Sequence, residues 1–153
     1  MKIIPADRSF GFLVHDIARL LGRRFDLKAR AFGLTRAQSK VLATLARQEG
    51  VNQATLAERL DVEPITLVRL IDRLEAAGWV ERRNNPADRR AYLLYLTEKA
   101  YPVLERIWAL AAENQEDAFA GLSEDDRDRL FRLLGSVHGN LMAQVPTDAP
   151  YES

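Results

Sequence analysis

The chain contains no cysteine. Disulfides, thiolate metal sites and thiol redox sensing are therefore excluded. Its two histidines, His15 and His138, are too few for a convincing zinc site, so neither a metal nor another cofactor is expected. No run is long and apolar enough to span a membrane. The start, Met1-Lys-Ile-Ile-Pro-Ala-Asp-Arg8, lacks the apolar segment of a signal peptide, so the cytoplasm is the expected compartment. Neither sign of charge is in excess: 22 Lys and Arg balance 22 Asp and Glu. This excludes an indiscriminate polycation coat but not DNA binding, for which a local basic face suffices. His15 beside Asp16, or His138 near the carboxylates of the last helical run, could be imagined as acid–base pairs. No nucleophile elbow, phosphate loop or metal motif surrounds them, and no enzyme is expected. Repeats and low-complexity blocks are also missing.

What is present is a chain of 153 residues, 47% of them hydrophobic, of single-domain length and able to bury a real core. From about Ser9 to Phe32, Phe10, Leu13, Val14, Ile17, Leu20, Leu21 and Phe25 follow helical spacing, and Gly33 is a good stop. Arg19, Arg23, Arg24, Lys28 and Arg30 give this helix a basic side. Thr35-Arg-Ala-Gln38 has the spacing of a capping box. The helix it opens buries Val41, Leu42 and Leu45 and ends near Gly50. Thr97 is expected to cap a long helix carrying Val103, Leu104, Ile107, Trp108, Leu110 and Ala111, which breaks at Gly121. Ser123-Glu-Asp-Asp126 opens the last helix, whose stripe is Leu130, Leu133, Leu134, Val137 and Leu141.

Between these flanks, Asn52 caps a short helix with Leu56, Ala57 and Leu60. Asp61-Val-Glu63 is a turn, and Pro64 suits the first position of the next helix. That helix runs Pro64 to Ala77 and stops at Gly78. At roughly 100° per residue, Leu67, Leu70, Ile71 and Leu74 share one side. Ile65, Thr66, Arg69, Asp72, Arg73 and Ala76 share the other. Cationic donors, a hydroxyl and an apolar tip suit phosphates, guanine edges and thymine methyls in a major groove. Taken alone, the helix would serve equally as an ordinary amphipathic surface helix. Two strand-like runs follow, Trp79 to Arg83 and Ala91 to Leu96, around Asn84-Asn-Pro-Ala-Asp-Arg-Arg90. This middle segment is expected to be a loop too long for a two-residue hairpin. Arg82, Arg83, Arg89 and Arg90 crowd it, and arginines on a projecting tip suit a minor groove and its phosphates. Short helix, turn, outward-reading helix and basic hairpin compose a winged helix-turn-helix.

Leu70-Ile-Asp-Arg-Leu-Glu-Ala-Ala-Gly-Trp-Val-Glu-Arg82, then Asn85-Pro-Ala-Asp-Arg-Arg90, then Leu96-Thr97, resembles the MarR family of bacterial winged-helix regulators. The flanking helices extend the likeness over nearly the whole chain. The resemblance implies an intertwined homodimer on a palindromic operator in double-stranded DNA, released by small aromatic or phenolic ligands. Asp88 and Arg90 match the family's Asp-x-Arg wing positions. Two departures stand out: Ala100 replaces a frequent glycine, and Pro102 lies close to the start of a helix, where it is expected to tilt that helix or delay its start.

The expected fold is mainly α with a small β-hairpin wing: a winged helix-turn-helix core plus a helical dimerisation layer. A single domain spans 1–153. Its core covers 34–97, its dimerisation layer 9–33 and 98–143, and a frayed tail 145–153. A monomeric helical cap is the alternative for the flanking helices. The expected function is a sequence-specific DNA-binding regulator, a repressor. A winged helix used for protein contacts is disfavoured by its charge, since interface cores are depleted of it. DNA-binding candidates are Asn52, Gln53, Ile65, Thr66, Arg69, Arg73, Arg83, Asn84, Asp88, Arg89 and Arg90. In the family, ligands sit where the dimer layer meets the winged core. That junction is expected to involve the first, second and fifth helices, with His15, Arg19 and Trp108 as lining candidates.

Overall fold

The computed structural model describes residues 9–144. The expected tail over 145–153 lies outside the described residues. The chain divides into two compact units, one up to Gln115 and one from Glu116.

In the first unit, α1 (Phe10–Ala29) follows the predicted spacing, but its apolar residues split along its length. Near its C-terminal end Gly22 and Ala29 are buried and Phe25 packs on the core. Phe10, Leu13, Val14, Ile17 and Leu20 stay exposed. A 3₁₀ turn (Arg30–Phe32) and Gly33 at φ 69° end it, a left-handed position that a side chain would strain. The predicted capping box opens α2 (Arg36–Arg47). Thr35 Oγ1 accepts from the Gln38 N–H at 3.2 Å, and Gln38 Oε1 accepts from the Thr35 N–H at 3.0 Å. Val41, Leu42 and Leu45 of α2 enter the core.

A two-residue strand, β1 (Val51–Asn52), follows, which the sequence pattern did not predict. Asn52 also caps α3 (Gln53–Leu60), its Oδ1 accepting from the Thr55 N–H at 2.8 Å. After the turn, Pro64 occupies the first position of α4 (Pro64–Ala76), where a missing N–H leaves no bond unmade. Leu67, Ile71 and Leu74 are fully buried, and Leu70 is half-buried at the edge of the same stripe.

β2 (Val80–Asn85) and β3 (Asp88–Leu96) form the hairpin, and β1 joins the far side of β3, giving an antiparallel sheet of order β1-β3-β2. Here the structure corrects the sequence reading. Pairing continues from Val80↔Leu96 to Asn85↔Asp88, so the connection is a two-residue turn, Pro86-Ala87, and not a long loop. An irregularity at Asn84 and Asn85 absorbs the proline. Asn85 Oδ1 accepts from the Ala87 N–H at 3.0 Å, closing the turn locally.

A second correction concerns Thr97. Its hydroxyl donates to the Gly78 carbonyl and caps no helix. A 3₁₀ turn (Glu98–Ala100) intervenes before α5 (Tyr101–Ala118). Pro102 is then the second residue of α5, in the first turn, where its absent N–H costs no intrahelical bond. The helix start is therefore delayed, one of the two outcomes expected of that proline. Ala100, at the position of the departure from glycine, is fully buried. Leu104, Ile107 and Leu110 form the buried stripe of α5. The core thus gathers residues of α2, α3, α4, β2, β3 and α5, chiefly Leu42, Leu45, Leu56, Leu67, Ile71, Leu74, Leu94 and Leu104.

In the second unit, Ser123 Oγ accepts from the Asp126 N–H at 3.2 Å and opens α6 (Glu124–Gln144). Phe119 and Phe131 meet edge to face at 5.6 Å, and Arg127 pairs with Glu116 at 2.8 Å. No residue of α6 is buried, and Phe131, Leu133, Leu134, Leu141 and Met142 are exposed. Among the described residues, no helix is long and apolar enough to cross a membrane.

Candidate nucleic-acid interface

The outward face of α4 is set by its buried one. With Leu67, Ile71 and Leu74 held in the core, the 3.6-residue period leaves Ile65, Thr66, Arg69 and Arg73 exposed. Ile65 keeps 61% of its surface open, an unusual cost for an apolar residue with no buried role. The expected reading residues thus stand together along one helix face.

The wing supplies a second exposed group. Asn84, Asp88, Arg89 and Arg90 are all exposed at its end. Asp88 Oδ1 accepts from the backbone N–H of Arg90 at 2.9 Å. Asp88 thus shapes the backbone beneath Arg90, and no ion pair holds Arg89 or Arg90 among the described residues. Both guanidiniums are available for an anion.

Three other candidates are engaged within the protein. Arg83 pairs with Glu81, Nε to Oε1 at 2.6 Å, and stacks 4.1 Å over the Tyr95 ring. Strand geometry explains this: Glu81 faces Tyr95 across the ladder, and Arg83, two residues on, shares their side of the sheet. Asn52 is half-buried and commits its side chain to the α3 cap. Gln53 is also half-buried, and its Oε1 accepts from Arg82 Nε at 3.3 Å and Nη2 at 3.1 Å.

Arg82 leads to a cluster that sequence reasoning missed. Its side chain is only 17% exposed and turns inward, on the same side of β2 as buried Val80. Nη2 bonds Asp72 Oδ1 at 2.6 Å, and Nη1 bonds Glu75 Oε2. The other oxygen of Glu75 accepts from the Arg82 backbone N–H at 3.3 Å. Burial disfavours the charged guanidinium, but the hydrogen bonds and charges of Asp72 and Glu75 outweigh it and raise its pKa. The available signal was an acidic pair three residues apart on the flank of α4, just ahead of a strand-borne arginine.

A cavity of about 480 Å³ lies apart from this face, in the first unit. His15, Ala18 and Arg19 of α1, and Arg36, Ala37 and Lys40 of α2, make one part of its lining. Leu60, Val62 and Leu70 make an apolar part. Arg36 crosses α1 where Gly22 leaves room, since a side-chain Cβ there would lie 1.7 Å from its Nη1. His15 and Arg19 line this cavity as expected, but Trp108 does not. It follows buried Ile107 by one residue, about 100° off the buried stripe of α5, and is 51% exposed. The helix-turn-helix therefore takes the part expected of the fifth helix.

Comparison with known proteins bears on this arrangement. The sequence model of the MarR family matches residues 34–92. A putative transcriptional regulatory protein for the hcr operon of Thauera aromatica is 32% identical over 147 residues, covering 88% of this chain and 89% of that one. Wild-type MarR (apo form) from E. coli has 30% identity and a TM-score of 0.79, over 90% of this chain and 98% of that chain. A mutant MarR from E. coli complexed with operator DNA has 28% identity and a TM-score of 0.74, over 90% and 99%.

Proposed function

The chain belongs to the MarR family of transcriptional regulators, and from that premise we propose that it is a sequence-specific DNA-binding repressor. It acts as a homodimer on a palindromic operator and is released by a small aromatic or phenolic ligand. One observation carries the DNA-binding part. An exposed face of α4 with Ile65, Thr66, Arg69 and Arg73 belongs to the same compact unit as a hairpin end whose Arg89 and Arg90 are unpaired. In helix-turn-helix proteins the N-terminal residues of the second helix reach base edges. Arg69 reads guanine, Ile65 meets a thymine methyl, and Arg73 holds a phosphate. The wing arginines add backbone and minor-groove contacts. The E. coli neighbour solved with operator DNA supports the same use of the fold.

The dimer is supported by apolar surface. The exposed stripe of α1, Phe10 to Leu20, and that of α6, Phe131 to Met142, are each too extensive to leave wet when burial is worth about 25 cal/mol per Å². A second copy covers them, and its two-fold axis sets two reading helices roughly 10 base pairs apart. The ligand is accommodated in the cavity lined by His15, Arg19, Arg36 and Lys40, whose cations suit an ionised phenol or carboxylate. Leu70 joins that cavity to the helix bearing Arg69 and Arg73. A ligand there releases DNA only by binding the DNA-incompetent arrangement more tightly.

The test is selection of bound duplexes from a library of randomised half-sites, with the unmutated protein and Arg69→Ala. Arg69→Ala should relax preference at one position per half-site, costing about 1–3 kcal/mol on the preferred sequence. A uniform loss with the preference profile intact would overturn the assignment of Arg69. Transcription in vitro from a template bearing the selected site, with and without protein, checks the sign of regulation.

A further inference from the structure

The wing and the reading helix must present their contacts at one angle if both are to engage the same duplex. A β-hairpin attached only through its two strands is free to swing. Arg82 is the side chain that ties it down. It bonds Asp72 and Glu75 of α4 and Gln53 at the first position of α3, while its own backbone N–H is held by Glu75. Glu75 is thus gripped through both oxygens, and one residue of β2 is fastened to both helices of the helix-turn-helix. The bond to Gln53 spans 29 residues of sequence. The guanidinium is the one side-chain group that fits this duty, with a planar fork able to serve several acceptors at once.

The position of the acids adds a second consequence. Asp72 sits next to Arg73 on α4, and Glu75 lies further round the same flank. Unpaired, both would present negative charge beside a face meant for phosphates. Arg82 offsets them without projecting to the surface itself. Resting on the DNA-binding function proposed above, we infer that Arg82 is a positioning residue that fixes the wing against the reading helix and does not itself touch DNA.

A double-mutant cycle tests this with the full chain and a random-sequence duplex of 30 base pairs. In the unmutated background, Arg90→Ala should weaken binding about tenfold at moderate salt. In the Arg82→Met background the wing is unmoored, and Arg90→Ala should cost less than about threefold, a coupling that independent sites do not show. Arg73→Ala should cost the same in both backgrounds. The double substitution Asp72→Asn with Glu75→Gln keeps Arg82 but removes its anchors, and it serves if Arg82→Met fails to fold. Charge alone predicts tighter binding for that variant; loss of positioning predicts that the Arg90→Ala penalty shrinks in it too. Equal Arg90→Ala penalties in every folded background would overturn the inference. So would an Arg82→Met loss that simply adds to that of Arg90→Ala, since Arg82 would then touch the duplex itself. If the unmutated protein binds no duplex, the DNA-binding function fails first and the inference falls with it.

Discussion

Arg90→Ala gives the sharpest physical prediction for the wing. The guanidinium is exposed and holds no ion pair, and its backbone N–H, bonded to Asp88, survives the substitution. Stability should therefore stay within about 0.5 kcal/mol of the parent. Binding should not. Removing one cation from a phosphate lowers the slope of log affinity against log salt by about 0.9, so a dimer altered at both wings should show a slope shallower by about 1.8. Over a fourfold rise in salt, from about 50 to 200 mM, the affinity gap between parent and variant should then narrow roughly twelvefold. Fluorescence anisotropy titrations at four salt concentrations measure this directly. Asp88→Ala separates a second role. It removes the acceptor beneath Arg90, a bond worth about 0.5–1.5 kcal/mol, but leaves the cation. Its affinity should fall with the slope largely retained. An Arg90→Ala variant with unchanged affinity and slope would remove the wing from DNA binding and refute the reasoning.

Other substitutions probe the remaining layers. Ile71→Ala deletes a fully buried side chain that seats the reading helix on the core, and denaturant unfolding should show a loss of about 2–5 kcal/mol. Asn52→Ala removes the α3 cap bonded to the Thr55 N–H; a loss of about 1 kcal/mol is expected, and an unchanged midpoint would argue against that cap. Leu134→Asp places a charge on a stripe where the parent leucine is 41% exposed in the single chain, so it should split the dimer or unfold the protein. Sedimentation of the unmutated protein as a folded monomer at micromolar concentration would count against the dimer.

Much of the reading helix could be seen without coordinates. The spacing of Leu67, Ile71 and Leu74 decides which way Arg69 and Arg73 point, because a helix repeats every 3.6 residues whatever surrounds it. The Thr35–Gln38 box, the Asn52 cap, Pro64 at a helix start and Gly33 at a helix stop obey the same local logic. Each depends on groups within a few positions of one another. Thr97 shows where that logic fails: it is a good capping residue, yet the Gly78 carbonyl, distant in sequence, takes its hydroxyl.

The tertiary structure decided what depends on partners far apart in the chain. The hairpin is longer and its turn tighter than Asn84 to Arg90 suggested, because ladder pairing with β2 extends β3 back to Asp88. β1 exists only because β3 offers an edge to Val51 and Asn52. The four arginines of the wing look alike in sequence but divide three ways in the fold. Arg89 and Arg90 stay open, Arg83 is taken by Glu81 and Tyr95, and Arg82 turns inward to Asp72, Glu75 and Gln53. Composition supplied the charges; strand alternation and the packing of β2 against α4 determined which of them remain free for another molecule.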